Sequence, residues 1–224
     1  MKMINETIEK KYGHYPEKIL QFGEGNFLRA FVDWMIDKAN RDGIYEGSIV
    51  LCQPIAQGLK DMINAQDGVY TLAMRGAENG QPVENIEVLT SVSRCINPYE
   101  DYDELMAIAR SADLEVVVSN TTEAGIAYHE GDKLTDRPPV SFPAKVTAFL
   151  YERYKAFNGD PEKGLLFLPV ELIDNNGAEL KRIVLQYASE WELGDDFTNW
   201  VNTANEFTST LVDRIVTGYP RDEV

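Results

Sequence analysis

The sequence predicts an α/β fold: a mostly parallel sheet with flanking helices and an antiparallel insertion. Short, nearly continuous apolar runs alternate with longer amphipathic segments, a pattern typical of parallel strands covered by helices on both faces. Several of these runs end in glycine or in short polar residues, as expected where a strand meets a loop. Residues 69–95 differ, because two extended segments there are separated by a turn-rich stretch.

The individual elements follow from the period of the apolar residues. Parallel strands are predicted at residues 18–22, 48–52, 114–119 and 165–170. Helices are predicted at residues 26–40, 101–110, 143–154, 178–191 and 197–203. The antiparallel insertion is predicted at residues 69–74 and 86–95, with a turn at residues 76–81. In the first helix, the three-to-four spacing predicts one buried face, formed by Phe27, Ala30, Phe31, Trp34, Met35 and Ile36.

Composition and charge exclude several classes of binding partner. Of 224 residues, 44% are hydrophobic and 26% are charged, which is the balance of a globular domain. The formal net charge of −16 disfavours a nucleic-acid partner, because such a surface would need to be basic. No apolar run has the length of a membrane span, and the polar N-terminus lacks the apolar core of a signal peptide. We therefore expect a cytoplasmic protein that binds neither nucleic acid nor membrane.

The sequence offers little for thiol or metal chemistry. Cys52 and Cys95 each end an extended run and form no C-x-x-C pair, so both are predicted to be buried thiols. His14 and His129 are too far apart in the sequence for a histidine-based zinc motif. No metal site is indicated by these residues.

A glycine pair follows the first predicted strand. Gly23-Glu24-Gly25 stands where a dinucleotide-binding fold needs a tight turn and a close approach of the backbone to a pyrophosphate. The phosphates would then lie at the positive end of the following helix. Leu28 occupies the place of the third glycine of the usual pattern. The pair indicates a nucleotide site, although a plain strand-to-helix turn would use the same glycines.

The end of the second predicted strand lacks the acid that often binds a ribose hydroxyl in such folds. Cys52-Gln53-Pro54 stands there instead. Gln53 could hydrogen-bond a ribose, but it carries no charge, and no arginine stands nearby to accept a 2′-phosphate. From these residues, the choice between NAD and NADP stays open.

Two further polar segments follow predicted parallel strands. Residues 119–123 (SNTTE) and 174–177 (DNNG) should both reach the crevice where α/β folds bind ligands. An asparagine amide in the second segment could hold a substrate oxygen as negative charge develops. Both segments also suit helix caps and turns. For residues 174–177 taken alone, the turn is the favoured interpretation, because Asn-Gly is a strong turn signal.

Together these segments resemble the mannitol dehydrogenase family of long-chain dehydrogenases. The family's fingerprint is similar to G-x-G-x-F-x-R-A, so the missing third glycine is expected there. The resemblance runs over nearly the whole chain and looks strongest for the family's sugar-acid branch. The segments that carry it are QFGEGNFLRAFVDW, SNTTEAGI, YHEGDK, ELIDNNG and STLVDRIVTGYPRDEV.

The resemblance implies an NAD-dependent dehydrogenase with a Rossmann-like fold, which interconverts D-altronate and D-tagaturonate by hydride transfer in hexuronate catabolism. The implied cofactor-binding residues are Gln21, Phe22, Gly23, Glu24, Gly25, Asn26, Phe27, Leu28, Arg29, Ala30, Asn120, Thr122 and Asp213. Residues 23–30 would cradle the pyrophosphate, Asn120 and Thr122 would line the cofactor crevice, and Asp213 would lie near the nicotinamide. Asn175 is the implied catalytic residue, since it matches an asparagine that helps hold the substrate oxygen.

The resemblance also implies a second domain. We expect residues 1–217 to form the dinucleotide-binding domain and residues 218–224 to begin a linker to a mainly helical C-terminal domain. The family's general acid/base lysine belongs to that domain, and its motif has no counterpart in this sequence. Because general acid–base help contributes about two to four orders of magnitude in rate, this chain alone is expected to bind NAD(H) but to turn over little or not at all.

Two alternatives stay open at this point. The enzyme could be a fructuronate reductase or a polyol dehydrogenase of the same family, because the matching segments concern mostly the cofactor. The chain could also be a non-catalytic nucleotide-sensing module, which would fit a chain without the second domain. The full set of crevice segments speaks against that second alternative.

Overall fold

The computed structural model of the protein describes residues 4–122 and 125–219. Glu123 and Ala124, which belong to one of the motifs above, lie outside the described residues. So do residues 220–224, which make up most of the predicted linker.

Strands and helices alternate along the described chain. The strands are β1 (Glu17–Phe22), β2 (Ser48–Cys52), β3 (Tyr70–Glu78), β4 (Gln81–Leu89), β5 (Val92–Ile96), β6 (Val116–Ser119), β7 (Leu166–Pro169) and β8 (Glu206–Phe207). The helices are α1 (Asn26–Arg29), α2 (Val32–Arg41), α3 (Lys60–Ala65), α4 (Tyr102–Ala109), α5 (Phe142–Ala156), α6 (Asn176–Glu190) and α7 (Asp195–Ala204).

A six-stranded sheet in the order β5-β2-β1-β6-β7-β8 forms the centre of the fold. Every neighbouring pair in it is parallel. Counted within the sheet, this is the order 3-2-1-4-5-6 of dinucleotide-binding Rossmann folds. The predicted α/β fold class is confirmed. The strand order reverses between β1 and β6, because successive strands of the sheet are added on one side of β1 up to β5 and on the other side from β6 onward. This reversal leaves a crevice outside the carboxyl ends of β1 and β6.

Local sequence explains where α4 and α5 begin. Asp101 accepts a hydrogen bond from the Glu104 amide, 3.1 Å away, and so caps α4. Ser141 caps α5 in the same way through the Ala144 amide at 3.3 Å, and Pro143 occupies a first-turn position that needs no amide hydrogen.

The predicted antiparallel segment at residues 86–95 is wrong in its second half. The chain breaks after β4, and β5 then joins the edge of the central sheet beside β2 as a parallel strand. Only β3 and β4 form the antiparallel insertion. The predictions also missed β8, a strand of two residues beside β7. It is held by two hydrogen bonds of 3.0 Å, from the Glu206 amide to the Leu165 oxygen and from the Thr208 amide to the Phe167 oxygen.

The predicted first helix is broken at Phe31 into α1 and α2. The buried face of α2 is also not the predicted one, since Met35 is 45% exposed and Trp34 is only partly buried. The residues of α2 that point inward are Asp33, Asp37 and Asn40. They recur at positions i, i+4 and i+7, so the helical period was correct but the polarity of the inner face was not.

Candidate functional site

The carboxyl edge of the sheet brings together the loops after β1, β6 and β7. At Gly23 the backbone has φ +124°, a region that L side chains rarely adopt. A Cβ placed there would lie 3.0 Å from the Asn120 carbonyl oxygen and 3.3 Å from Leu28. The first glycine is therefore required by the backbone angle and by the close packing of the β1 and β6 loops. Around Gly25, in contrast, a Cβ would meet nothing within 4 Å, so this side of the turn is open to a ligand.

The residues before and after the glycines are mostly buried and pack on the inner side of this turn. Gln21 and Phe22 are buried within β1, where the Gln21 amide nitrogen donates to the Gly23 oxygen at 3.0 Å. Leu28 is 1% exposed, and its side chain packs against Gly23. It stands at the position where other dinucleotide-binding folds have a third glycine, which has no side chain. Ala30 is buried where α1 ends. These side chains shape the loop and do not line its open side.

Three residues of the same stretch have more open surroundings. Asn26 is exposed, and its side-chain oxygen accepts a 2.6 Å hydrogen bond from Arg29. The Arg29 guanidinium also stacks over the Tyr70 ring at 5.2 Å from its centroid. Phe27 is partly buried against Phe31, with 5.7 Å between ring centroids.

The β2 end does not offer Gln53 to a ribose. Gln53 is 2% exposed and both ends of its amide are engaged within its own loop. The nitrogen donates to the Ile55 and Ala56 oxygens at 3.2 and 3.4 Å, and the oxygen accepts from the Lys60 amide at 2.8 Å. The suggested ribose contact from Gln53 is therefore wrong, because the side chain serves to fold residues 53–60.

A buried carboxylate that the sequence reasoning missed organises the β6 loop. Glu171 is 2% exposed and accepts hydrogen bonds from the Ser119 hydroxyl, the Thr121 amide and the Thr121 hydroxyl at 3.0–3.1 Å. Asn120 is tied to the same strand end, because its amide nitrogen donates to the Val170 oxygen at 3.0 Å. Glu171 directly follows a predicted strand, so the rule that selected residues 119–123 could also have selected it.

Thr122 ends this loop in the left-handed region, with φ +77°. A β-branched residue is strained there, and such strain occurs at ligand-binding loops more often than elsewhere. Its side chain is exposed at the carboxyl edge, next to the half-buried Asn120. The structure thus brings both predicted residues of this loop to one place.

The two neighbouring asparagines after β7 have opposite surroundings. Asn175 is exposed in the left-handed region at φ +53°, and its side chain makes no capping hydrogen bond to α6. Asn176 is fully buried, and its amide nitrogen donates to the oxygens of Pro169 and Glu171 at 3.0 Å. Asn175 is therefore available to a ligand, whereas Asn176 holds the loop together.

The C-terminal segment, residues 208–219, passes along the carboxyl edge. It begins beside β7, where the Thr210 amide donates to the Asn176 side-chain oxygen at 2.9 Å. It reaches the β1 side through Arg214, whose guanidinium lies over the rings of Phe31 and Trp34 at 5.2 and 5.4 Å. Between these anchors Asp213 is exposed. The segment therefore borders the crevice and carries the predicted Asp213 with it.

The YHEGDK segment belongs to a loop that α6 holds in place. Asp132 accepts hydrogen bonds from the Val140 and Ser141 amides at 2.7 and 3.0 Å. Burial opposes ionisation of this carboxyl group, yet the hydrogen bonds from Ser141 and Val140 leave the pKa of Asp132 below its ordinary value. The Tyr187 hydroxyl donates to the His129 oxygen at 2.9 Å and ties the loop to α6. These hydrogen bonds hold the loop against α6 and against the start of α5.

Other candidate chemistry is weak. Cys52 and Cys95 are free and buried, as predicted, and burial raises the pKa of Cys95 to about 12 and that of Cys52 well above its ordinary value. Among the described residues no group of histidine, cysteine and acidic side chains could hold a metal ion. None of the helices in the described ranges is long and apolar enough to cross a membrane.

A depression of about 460 Å³ lies at the opposite, amino-terminal edge of the sheet, beside residues 114–115 and 162–166. Its buried cation, Arg153, is already occupied, because the guanidinium donates to the oxygens of Ala109, Ser111, Leu114 and Lys163. At the carboxyl edge, in contrast, the polar side chains of Thr122, Asn175 and Asp213 are exposed.

The strand order, the glycine turn and the carboxyl-edge loops define an α/β domain of the dinucleotide-binding class. Residues 17–223 match the model of the mannitol dehydrogenase Rossmann domain. The chain belongs to the mannitol dehydrogenase family, and the resemblance seen in the sequence is confirmed.

Similar proteins include altronate oxidoreductases. The one of Klebsiella pneumoniae subsp. pneumoniae is 53% identical over 211 residues, which are 94% of this chain and 44% of that protein. The one of Enterobacter sp. (strain 638) is 52% identical over the same shares. The chain therefore spans less than half the length of these relatives.

Solved structures share the fold at lower identity. The ternary complex of Pseudomonas fluorescens mannitol 2-dehydrogenase with NAD and D-mannitol matches with a TM-score of 0.77 and 19% identity, over 92% of this chain and 43% of that one. A D-sorbitol dehydrogenase in substrate-free form matches with a TM-score of 0.71 and 18% identity, over 89% and 43%. At these identities the likeness establishes the fold.

Proposed function

We propose that this chain is the cofactor-binding portion of a cytoplasmic, NAD-dependent oxidoreductase that interconverts D-altronate and D-tagaturonate in hexuronate catabolism. The observation that carries the proposal is the 52–53% identity to altronate oxidoreductases over 94% of the chain. The crevice supports it, since the turn after β1 is open at Gly25 and the loops after β6 and β7 present polar groups to the same edge.

The residues of the chain have distinct tasks in this proposal. Residues 23–30 hold the pyrophosphate, and Asn120 and Thr122 line the cofactor crevice with the loop that Glu171 orders. Asp213 lies toward the nicotinamide end. When bound, NAD accepts or supplies the hydride, and the protein contributes position and electrostatics.

Asn175 holds the substrate oxygen in this proposal. Its exposed amide can donate a hydrogen bond to the oxygen as negative charge develops during carbonyl reduction. The proton itself moves through a lysine of the C-terminal helical domain that the family resemblance implies. We therefore place full turnover in the longer polypeptide and cofactor binding in this chain.

The decisive experiment follows NADH oxidation by the natural-length polypeptide with tagaturonate, fructuronate and fructose, with NADPH as a control. A clear preference for tagaturonate with NADH supports the proposal. A preference for another ketose would retain the fold and cofactor but discard the substrate. No oxidation of any of them, together with intact NADH binding, would favour a nucleotide-sensing module.

An Asn175→Gly variant tests the role of Asn175. Glycine accepts the left-handed backbone at this position, so the change removes the amide without adding strain. Loss of one donor to a developing oxyanion costs roughly 10²–10³ in kcat, and we expect NADH affinity to stay unchanged.

The matched control is Asn158→Gly. Asn158 is also exposed in the left-handed region, with φ +51°, but it follows α5. Equal kcat values for the two variants would contradict the assignment of Asn175.

A further inference from the structure

The Glu24 carboxylate lies beside the carboxyl end of β2, where many dinucleotide-binding folds have a ribose-binding acid and this chain has Gln53. Glu24, between the two glycines of the β1 turn, is 8% exposed and lies against the loop that follows β2. Its Oε1 accepts a 3.3 Å hydrogen bond from the Leu59 amide. A Cβ added to Gly58 would lie 2.4 Å from that oxygen and 2.6 Å from the Gln53 side chain. Glu24 and Gln53 thus flank the same short piece of backbone.

Gln53 and Glu24 differ in how many of their polar atoms already have hydrogen-bond partners. Gln53 uses both ends of its amide within residues 53–60. Across the described ranges, the Leu59 amide is the only hydrogen-bond donor to the Glu24 carboxylate, and it contacts Oε1 alone. The second oxygen of Glu24 is therefore available at the carboxyl end of β2, which is the place above which this fold binds the adenosine half of a dinucleotide.

The local charges also favour an unphosphorylated ribose. Lys60 is the one cation in residues 53–60, and its ammonium group is paired with Glu100. The Arg29 guanidinium is engaged by Asn26 and the Tyr70 ring. A 2′-phosphate placed here would be repelled by the Glu24 carboxylate, and these two cations already have partners.

We propose that Glu24 binds the 2′- and 3′-hydroxyls of the adenosine ribose and thereby selects NAD over NADP. The task that this fold usually gives to an acid after the second strand is moved to the glycine turn of the first strand. The proposal rests on the proposed function, because it requires that the crevice binds a dinucleotide.

The test measures dissociation constants by fluorescence titration of the natural-length protein with NADH, with NADPH and with the 2′-deoxyadenosine analogue of NADH. The variants are Glu24→Gln and Glu24→Ala, and circular dichroism checks that each is folded. Glu46→Gln is the matched control, because Glu46 is an exposed acid before β2 and its change removes the same charge.

Wild-type protein is expected to bind NADH more tightly than NADPH or the deoxy analogue. Since losing a hydrogen bond to a charged group corresponds to roughly a 10- to 150-fold change in a dissociation constant, both Glu24 variants should weaken NADH binding by about that factor. The preference for NADH over the deoxy analogue should disappear in Glu24→Ala, and the preference over NADPH should fall in both variants. Glu46→Gln should match wild type.

The ratios separate a ribose contact from a loss of loop structure, because a disordered loop would weaken all three ligands alike. If wild type binds NADH but Glu24→Ala keeps the full preference over the deoxy analogue, the inference is overturned and the proposed function stands. If wild type binds no dinucleotide at all, the proposed function fails and the inference fails with it.

Discussion

The two faces of the central sheet differ in the polarity of the side chains packed against them. The face covered by α4, α5, α6 and α7 has an apolar core that includes Leu20, Val117, Phe149 and Tyr187. The opposite face, covered by α1, α2 and α3, has a smaller apolar cluster around Ile19, Leu51 and Val118. There the inner side of α2 is polar. The first face is stabilised mainly by burial of apolar area. On the second face, directional hydrogen bonds replace part of the apolar contact.

The polar face fixes the position of the antiparallel insertion. The Asp37 carboxylate accepts hydrogen bonds from the Thr90 amide at 2.7 Å and the Ser91 hydroxyl at 3.0 Å, between β4 and β5. The Tyr70 hydroxyl at the start of β3 lies 3.0 Å from Asp33. Because these bonds are directional, they set where the hairpin joins the sheet, which an apolar contact would leave less defined.

The largest difference between the faces should appear on truncating the apolar core. Phe149 in α5 is 1% exposed, and Phe149→Ala removes a ring from a packed layer. We expect the free energy of unfolding to fall by about 3–5 kcal/mol, measured by urea denaturation. Met35→Ala on the other face is the control and should change stability by less than about 0.5 kcal/mol. A Phe149→Ala loss as small as that of Met35→Ala would remove the distinction between the faces.

A smaller effect is expected from breaking the polar face. Asp37→Ala leaves the buried Thr90 amide and Ser91 hydroxyl without their acceptor, and Arg41 without one partner at 3.1 Å. We expect a loss of about 2–3 kcal/mol in stability. Hydrogen exchange at the Thr90 amide should accelerate more than exchange within β6. Uniform acceleration over the whole sheet would show that Asp37 has no special link to the hairpin.

The smallest effect concerns pH. Burial raises the pKa of Asp33 from 3.8 to about 7, although the hydrogen bond from Tyr70 and the charge of Arg29 act in the opposite direction. From about pH 4 to about pH 7 the unfolded chain releases this proton while the folded chain keeps it, so this group lowers stability as pH rises. Between about pH 6 and about pH 8 the loss is about 1.4 kcal/mol.

Asp33→Asn removes this dependence. The difference in unfolding free energy between the variant and wild type should shift in favour of the variant as pH rises over that interval, measured by urea denaturation at both ends. Asp61→Asn, a change at an exposed acid of α3, should show no such shift. If the two variants have the same pH dependence, Asp33 is ionised in the folded protein.

The comparison also explains how much the sequence could predict. The buried strands β1, β2, β6 and β7 each appear as apolar runs, and the polar residues after them correctly marked the carboxyl edge. The pattern failed for α2, because Asp33 and Asp37 accept hydrogen bonds from residues about 40 and 50 positions away in the chain. Such pairing leaves no trace in local periodicity.

The remaining misses have similar physical causes. Strand β8 has two residues, too few to show a period, and depends on pairing with β7. The open surroundings of Asn175 and the buried ones of Asn176 could not be distinguished, since the chain conformation after β7 decides which of the two faces the crevice. Glu171 was within reach of the rule for strand ends but was not selected.

The hairpin has a consequence for protein engineering. Residues 75–86 are exposed throughout, and Asn79 and Gly80 form the turn with positive φ angles of 51° and 76°. Exposed loop tips of this kind are where inserted sequences are tolerated best. A fluorescent reporter or an affinity handle inserted between Asn79 and Gly80 would be anchored to α2 through the hydrogen bonds of Tyr70 and Thr90. The inserted sequence would thereby sit at the exposed end of a hairpin whose base stays joined to the domain.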